Sequence, residues 1–186
     1  EEGDIVPGLA VGLYDIGGTG AFSSEYIVAS KRINNLDLTL GLGWGRLGGR
    51  DHISNPFGML SDSFKTRGGG FGLGGKLNLN RFFTGKSASF IGGFEYHTPI
   101  PNLSVKLEYD ASDYSDVIGK EKVIHQTGDI FEVDSRFNIG LNYQFDVTER
   151  GKIDFSTGLI RGNTFYANFA VHTNLNFLGQ PKYTPP

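Results

Sequence analysis

The sequence predicts an all-β, antiparallel fold, closed as a membrane barrel or packed as a sandwich. Three observations carry that prediction. Large apolar residues recur at every second position along most of the 186 residues, the period of a strand whose two faces meet different surroundings. No segment approaches the ~20 consecutive apolar residues of a membrane helix, whereas a barrel strand needs only ~9–11 residues with every second one apolar. Finally, 28 glycines accompany 13% aromatic residues. Glycine inside strands marks bends, close backbone approach or a crowded interior, and aromatics favour strands and gather at membrane interfaces.

Nine strands are expected, at 8–14, 24–33, 36–45, 69–79, 88–97, 102–110, 135–145, 151–160 and 164–175. The third, within "LDLTLGLGWGRLGG", sets Leu36, Leu38, Leu40, Leu42 and Trp44 against Asp37, Thr39, Gly41, Gly43 and Gly45. In the fourth, Phe71, Leu73, Leu77 and Leu79 alternate with Gly72, Gly74, Lys76 and Asn78. The sixth sets Leu103, Val105, Leu107 and Tyr109 against Ser104, Lys106, Glu108 and Asp110. The seventh opposes Phe137, Ile139, Leu141, Tyr143 and Phe145 to Arg136, Asn138, Gly140, Asn142 and Gln144. In the ninth, Phe165, Ala167, Phe169 and Val171 oppose Tyr166, Asn168, Ala170 and His172. The dyads outrun the usual 5–6 residues of a strand, and Trp44, Tyr96, Tyr109, Phe145 and Phe165 sit near strand ends. Both features favour lipid on the apolar side; a sandwich core accommodates them too.

The links are of two kinds. Residues 33–35, 146–151 and 161–163 read as tight turns, and 46–67 and 111–134 as long links rich in Gly, Asp and Ser. Nine strands would send the two long links to opposite sides, against the short-turn, long-loop asymmetry of outer-membrane barrels. Either a further strand lies in one of the links, with "DIFEVD" at 129–134 the candidate, or one long link is periplasmic.

Composition narrows the functional classes. The net charge is −3 and no basic tract is present, which argues against nucleic acid as a partner. With no cysteine, there is neither a disulfide framework nor a thiolate metal site. The start, "EEGDIVPGL", shows no apolar leader, and "GQPKYTPP" reads as a proline-rich linker, giving a β domain over 1–178 and a linker over 179–186.

Motifs are weighed against plainer readings. "DIGGTGAF" lacks the lysine and the helix of a phosphate loop and reads as a turn. In "YDASDYSD", Asp110, Asp113 and Asp116 do not match an EF-hand; with Tyr109 and Tyr114 they are candidates for sugar contact, ring against the apolar sugar face and acids on hydroxyls. Arg46, Arg50 and Arg67 beside the long link are candidates for acidic polysaccharide, where guanidinium binds in a bidentate fashion. Glu95, Glu108 and Asp154 do not resolve into a catalytic pair, and Lys76, Lys106, Arg136 and Lys152 of the same parity offset them. His52, His97, His125 and His172 show no metal spacing. No catalytic residue, metal or cofactor is expected.

Five stretches, "GLYDIGGTGAFSSEYIVASKRI", "LDLTLGLGWGRLGGRDHISNPF", "SFKTRGGG", "FEYHTPIPNLSVKLEYDASDYSD" and "RGNTFYANFAVHTNLNF", resemble in order the YjbH-like family of bacterial outer-membrane lipoproteins from exopolysaccharide and capsule operons. The resemblance implies a region of a larger outer-membrane β-barrel protein, with β segments before the position of Glu1 and a lipid-modified Cys outside this chain. The resulting expectation is a transmembrane outer-membrane barrel of about 9–10 or more strands, non-enzymatic, serving exopolysaccharide or capsule biosynthesis or export. Its partners would be outer-membrane lipid, exopolysaccharide and other products of the operon. Leu36, Leu38, Leu40, Leu42 and Trp44 would face lipid. The rival readings are a passive porin-like channel and a soluble carbohydrate-binding β-sandwich.

Overall fold

The computed structural model describes residues 6–16, 22–68, 79–112, 133–148 and 151–173. Its strands are β1 (Gly8–Tyr14), β2 (Ser24–Ile33), β3 (Leu36–Gly45), β4 (Ile53–Ser54), β5 (Ser87–His97), β6 (Leu103–Tyr109), β7 (Phe137–Thr148), β8 (Gly151–Ile160) and β9 (Thr164–Thr173). Eight of them form one antiparallel sheet in the order β1-β2-β3-β5-β6-β7-β8-β9, and the two-residue β4 pairs with the start of β5. The period-2 pattern therefore marks eight of the nine expected strands. The expected strand at 69–79 lies outside the described residues except for Leu79, which opens a 3-10 turn. The candidate further strand at 129–134 lies outside them up to residue 132, and residues 133 and 134 are not strand.

Because β3 pairs directly with β5, no strand stands between them. The long links after β3 and after β6 consequently leave the same end of the sheet, and the apparent conflict between them disappears. The opposite end carries short turns. There Asn34 (φ 54°) and Asn102 (φ 64°) take the left-handed conformation that Asn tolerates better than most residues.

Directly opposed residues share a face, so the register fixes two surfaces. One carries Leu36, Leu38, Leu40 and Leu42 of β3, then Phe90, Phe94 and Tyr96 of β5. It continues through Leu103, Val105, Leu107 and Tyr109 to Phe137, Ile139, Leu141 and Tyr143. It ends with Phe155 and Leu159 against Phe169 and Phe165. From β3 through β9 the paired positions on this face include no charged residue. Leu40 is 68% exposed and Phe169 71%, so the face is open. The other face carries the polar partners, with glycines where backbones crowd: a Cβ on Gly158 would lie 2.3 Å from the Ile139 carbonyl oxygen.

The closed barrel is not what forms. A barrel requires its first and last strands to pair, but among the described residues β1 pairs only with β2 and β9 only with β8. The sheet is open, which overturns the expectation of an outer-membrane barrel built from transmembrane strands. Alternation reports that a strand has two unlike faces; strand number, tilt and register decide closure, and no short motif encodes them. Among the described residues, no helix is long and apolar enough to cross a membrane.

Trp44 is a second correction. It shares the leucine face by parity, yet it is 1% exposed. The segment between β3 and β5 folds over it, placing Phe83 edge-on at 5.2 Å and Phe57 at 5.5 Å between ring centroids. Trp44 is thus a core residue under a long link rather than a side chain turned to lipid.

Candidate functional site

The polar face is held by cross-strand pairs. Ser30 and Thr39 hydroxyls meet at 2.8 Å. Asp37 binds Nε2 of His97 at 2.7 Å and lies 3.7 Å from Nε of Arg32. Glu95 accepts from the Ser104 hydroxyl at 2.5 Å and faces Lys106 at 3.4 Å. Ser156 donates to Asn142 at 2.6 Å. Gln144 donates to Oδ1 of Asp154 at 2.8 Å, while His172 binds Oδ2 at 2.8 Å. The hydrogen bond from Gln144, followed by the charge and hydrogen bond of His172 and the charge of Lys152, holds Asp154 below the usual carboxylate range, against an opposing effect of desolvation.

Between β3, β5 and β6 this face opens into a groove of about 420 Å³, bordered by Asp37, Thr39, Glu95, Lys106, Glu108 and Asp110. Leu47, from the 3-10 turn Arg46–Gly48 that follows β3, closes one side. Gly43 makes that closure possible, since a Cβ there would lie 2.6 Å from Cβ of Leu47. The groove offers carboxylates, a hydroxyl and an ammonium group along a shallow trough. Such groups can hydrogen-bond a polyhydroxylated chain. A wider hollow of about 660 Å³ lies among the 3-10 turns near Met59 and Leu60, where Lys65 is already paired with Asp62 at 2.5 Å.

At the loop end of the other face, a polar clamp fixes the long link to the sheet. Asn55 accepts from the Trp44 indole N–H at 3.0 Å and from the Phe57 backbone N–H at 3.1 Å. Its amide nitrogen reaches the carbonyl oxygens of Phe64, Phe83 and Gly85 at 2.8–3.0 Å. Arg67 forms a two-pronged bridge to the fully buried Glu25, both contacts at 2.7 Å, and also donates to the Ser23 hydroxyl at 2.8 Å. Burial, followed by the neighbouring Arg67 charge, lowers the pKa of Arg81 despite the opposing Glu25 and Asp15.

The expected contact residues are dispersed by this arrangement. Arg67 is committed to Glu25, because a buried carboxylate needs a partner, and it belongs to the clamp rather than to an outward cationic patch. Arg50 is exposed, and its backbone N–H donates to the Ser89 hydroxyl at 3.0 Å. Arg46 is half-buried, its N–H directed to the Ser23 carbonyl. Asp110 accepts from the Ser112 N–H at 2.8 Å, forming a local turn at the rim of the groove. Asp113, Tyr114 and Asp116 lie outside the described residues.

Sequence reasoning does not single out Asp37, Thr39 or His97. Asp37 and His97 meet only through the β3–β5 pairing, 60 residues apart, and Thr39 meets Ser30 across β2–β3; no local spacing announces either meeting. Among the described residues, no cluster of His, Cys, Asp or Glu is arranged to hold a metal ion. Glu95 is bound by Ser104 and Lys106, and Asp154 by Gln144 and His172.

A family model, YjbH, described as "Exopolysaccharide biosynthesis protein YbjH", matches residues 1–185. The chain is 39% identical over 193 aligned positions to "Uncharacterized lipoprotein YjbH" of Escherichia coli (strain K12); the alignment takes in 100% of this chain and 26% of that protein. The chain therefore spans about a quarter of the length of this curated relative. No solved structure matches. The match along nearly the whole chain makes it a member of the YjbH exopolysaccharide biosynthesis family.

Proposed function

We propose that the chain is a non-enzymatic, carbohydrate-contacting β-sheet module in exopolysaccharide or capsule biosynthesis. The observation that carries this reading is the polar face, a band of carboxylates, amides, hydroxyls and imidazoles from Asp37 to His172 that opens into the groove beside Glu108. Sugar hydroxyls both donate and accept, so a mixed row of such groups suits them better than a single-sign charge patch would. Arg50, whose N–H reaches Ser89 of this face, and Asp110 at the rim of the groove lie towards the loop end and extend the contact. The name of the lipoprotein relative supports work beside a membrane. The row Leu36, Leu38, Leu40 and Leu42 on the opposite face is assigned to contact with hydrocarbon there. An open sheet encloses no lumen, which disfavours a passive channel.

The test is binding of the purified chain to exopolysaccharide isolated from the cells that carry it. Glu108 is exposed, with its Oε2 3.5 Å from the Asn138 amide, so Glu108→Gln should leave the fold intact. It is expected to weaken binding about fivefold, the weight of one lost charge-assisted hydrogen bond. Absence of binding by the unaltered chain, together with unchanged surface polysaccharide on gene deletion, would sink the reading.

A further inference from the structure

At the loop end of the apolar face, four rings form an exposed ledge. His52, from the link before β4, stacks on Phe90 of β5 with ring centroids 5.9 Å apart and planes 26° apart. It also lies 5.8 Å from Tyr109 of β6, which in turn lies 5.3 Å from Phe137 of β7. Phe90 and Phe137 are 55% and 57% exposed.

A directed hydrogen-bond chain runs through these rings. The Phe90 backbone N–H donates to Nδ1 of His52 at 3.1 Å. In the neutral imidazole the ring hydrogen must then sit on Nε2, from which it is donated to the Tyr109 hydroxyl oxygen at 3.1 Å. The hydrogen of that hydroxyl is left to point away from the imidazole, towards whatever lies on the ledge. The ledge thus pairs flat apolar faces with one outward O–H donor. Pure hydrocarbon would meet the rings but leave the imidazole and the hydroxyl in an apolar medium, an unfavourable placement. A pyranose ring has an apolar C–H face and a rim of hydroxyls, and it satisfies both parts.

We infer that the ledge of His52, Phe90, Tyr109 and Phe137 is a stacking subsite for a pyranose ring of a polysaccharide. The Tyr109 hydroxyl donates to a sugar oxygen and His52 holds that hydroxyl in place. Tyr109 is followed directly by Asp110 at the rim of the groove, so the ledge and the groove adjoin in sequence at the loop end of β6. The inference rests on the carbohydrate-binding reading and adds to it a second, chemically different contact.

Titration calorimetry of the full chain with the same purified exopolysaccharide tests it, alongside sedimentation with phosphatidylethanolamine–phosphatidylglycerol vesicles. Phe90→Leu and Phe137→Leu keep apolar bulk at exposed positions and remove the ring; Tyr109→Phe removes only the hydroxyl. Circular dichroism confirms that each variant is folded. Each ring replacement is expected to weaken polysaccharide binding about threefold, and Tyr109→Phe about fivefold, with vesicle sedimentation unchanged. If the unaltered chain binds and Glu108→Gln weakens it while the three ledge variants bind normally, the ledge inference fails alone and the groove reading stands. If the ledge variants instead lose vesicle sedimentation and keep polysaccharide affinity, the ledge is a lipid contact and the inference is overturned. No binding by the unaltered chain overturns the ledge inference, and together with unchanged surface polysaccharide on gene deletion it removes the groove reading as well.

Discussion

Asp154 shows how a single side chain on the polar face is governed by its neighbours. Gln144 across one strand pair and His172 across the other both bind its carboxylate, and its pKa falls below the ordinary value. A carboxylate whose folded pKa is depressed adds stability above its unfolded pKa and loses that contribution as pH falls through the folded value. The stability advantage of the unaltered chain over Asp154→Asn is therefore expected at neutral pH and should shrink away in acid, below the ordinary aspartate range. Denaturant melts of the two proteins across that range check this; a difference that stays constant down to the lowest pH would contradict it. The facing of Asp154 was legible in the sequence, since parity alone separates it from Ile153 and Phe155. Its partners were not, because Gln144 and His172 reach it only once β7, β8 and β9 are in register.

At the scale of elements, the described parts of the link from β3 to β5, residues 46–68 and 79–86, are a built part of the fold. Glycines and serines in this stretch read as a solvated loop, and for the exposed 3-10 turns that reading is sound. The reading misses Asn55, whose single amide ties three carbonyls, an indole and an N–H together beneath the link. Nothing about an Asn before a Pro distinguishes a turn residue from such a hub; only the burial of Trp44 does so. Asn55→Leu keeps the volume and strands several buried polar groups, each worth ~1–3 kcal/mol when unsatisfied. The variant is expected to lose about 2 kcal/mol or more and to become more readily cleaved by protease between residues 53 and 68 than the unaltered chain. Equal resistance of the variant and the unaltered chain would show that the link is held by other contacts. The strands themselves were the legible elements, because a period of 2 sustained over ten residues has few competing explanations.

For the whole molecule, the open sheet leaves its leucine row uncovered. Leu40→Lys is therefore expected to change the unfolding free energy by no more than about 0.5 kcal/mol, as exposed substitutions usually do, while reducing sedimentation with lipid vesicles. A loss of several kcal/mol would instead reveal a second layer over Leu40, since a buried unpaired ammonium is that costly. The two-sidedness of the sheet could be read from Leu36–Gly45 alone, but its failure to close could not, because closure is a relation between β1 and β9, at opposite ends of the chain. The same connectivity bears on how the molecule is built. Two residues separate β2 from β3 and two separate β7 from β8, so the entropic cost of joining these pairs is small. The long excursions fall only between β3 and β5 and between β6 and β7. The sheet thus divides into three locally encoded pieces, β1–β2–β3, β5–β6 and β7–β8–β9, each able to zip up from its own turns before the pieces meet edge to edge. Their order across the sheet is the order in which a ribosome delivers them, so each newly made piece finds its docking edge already formed.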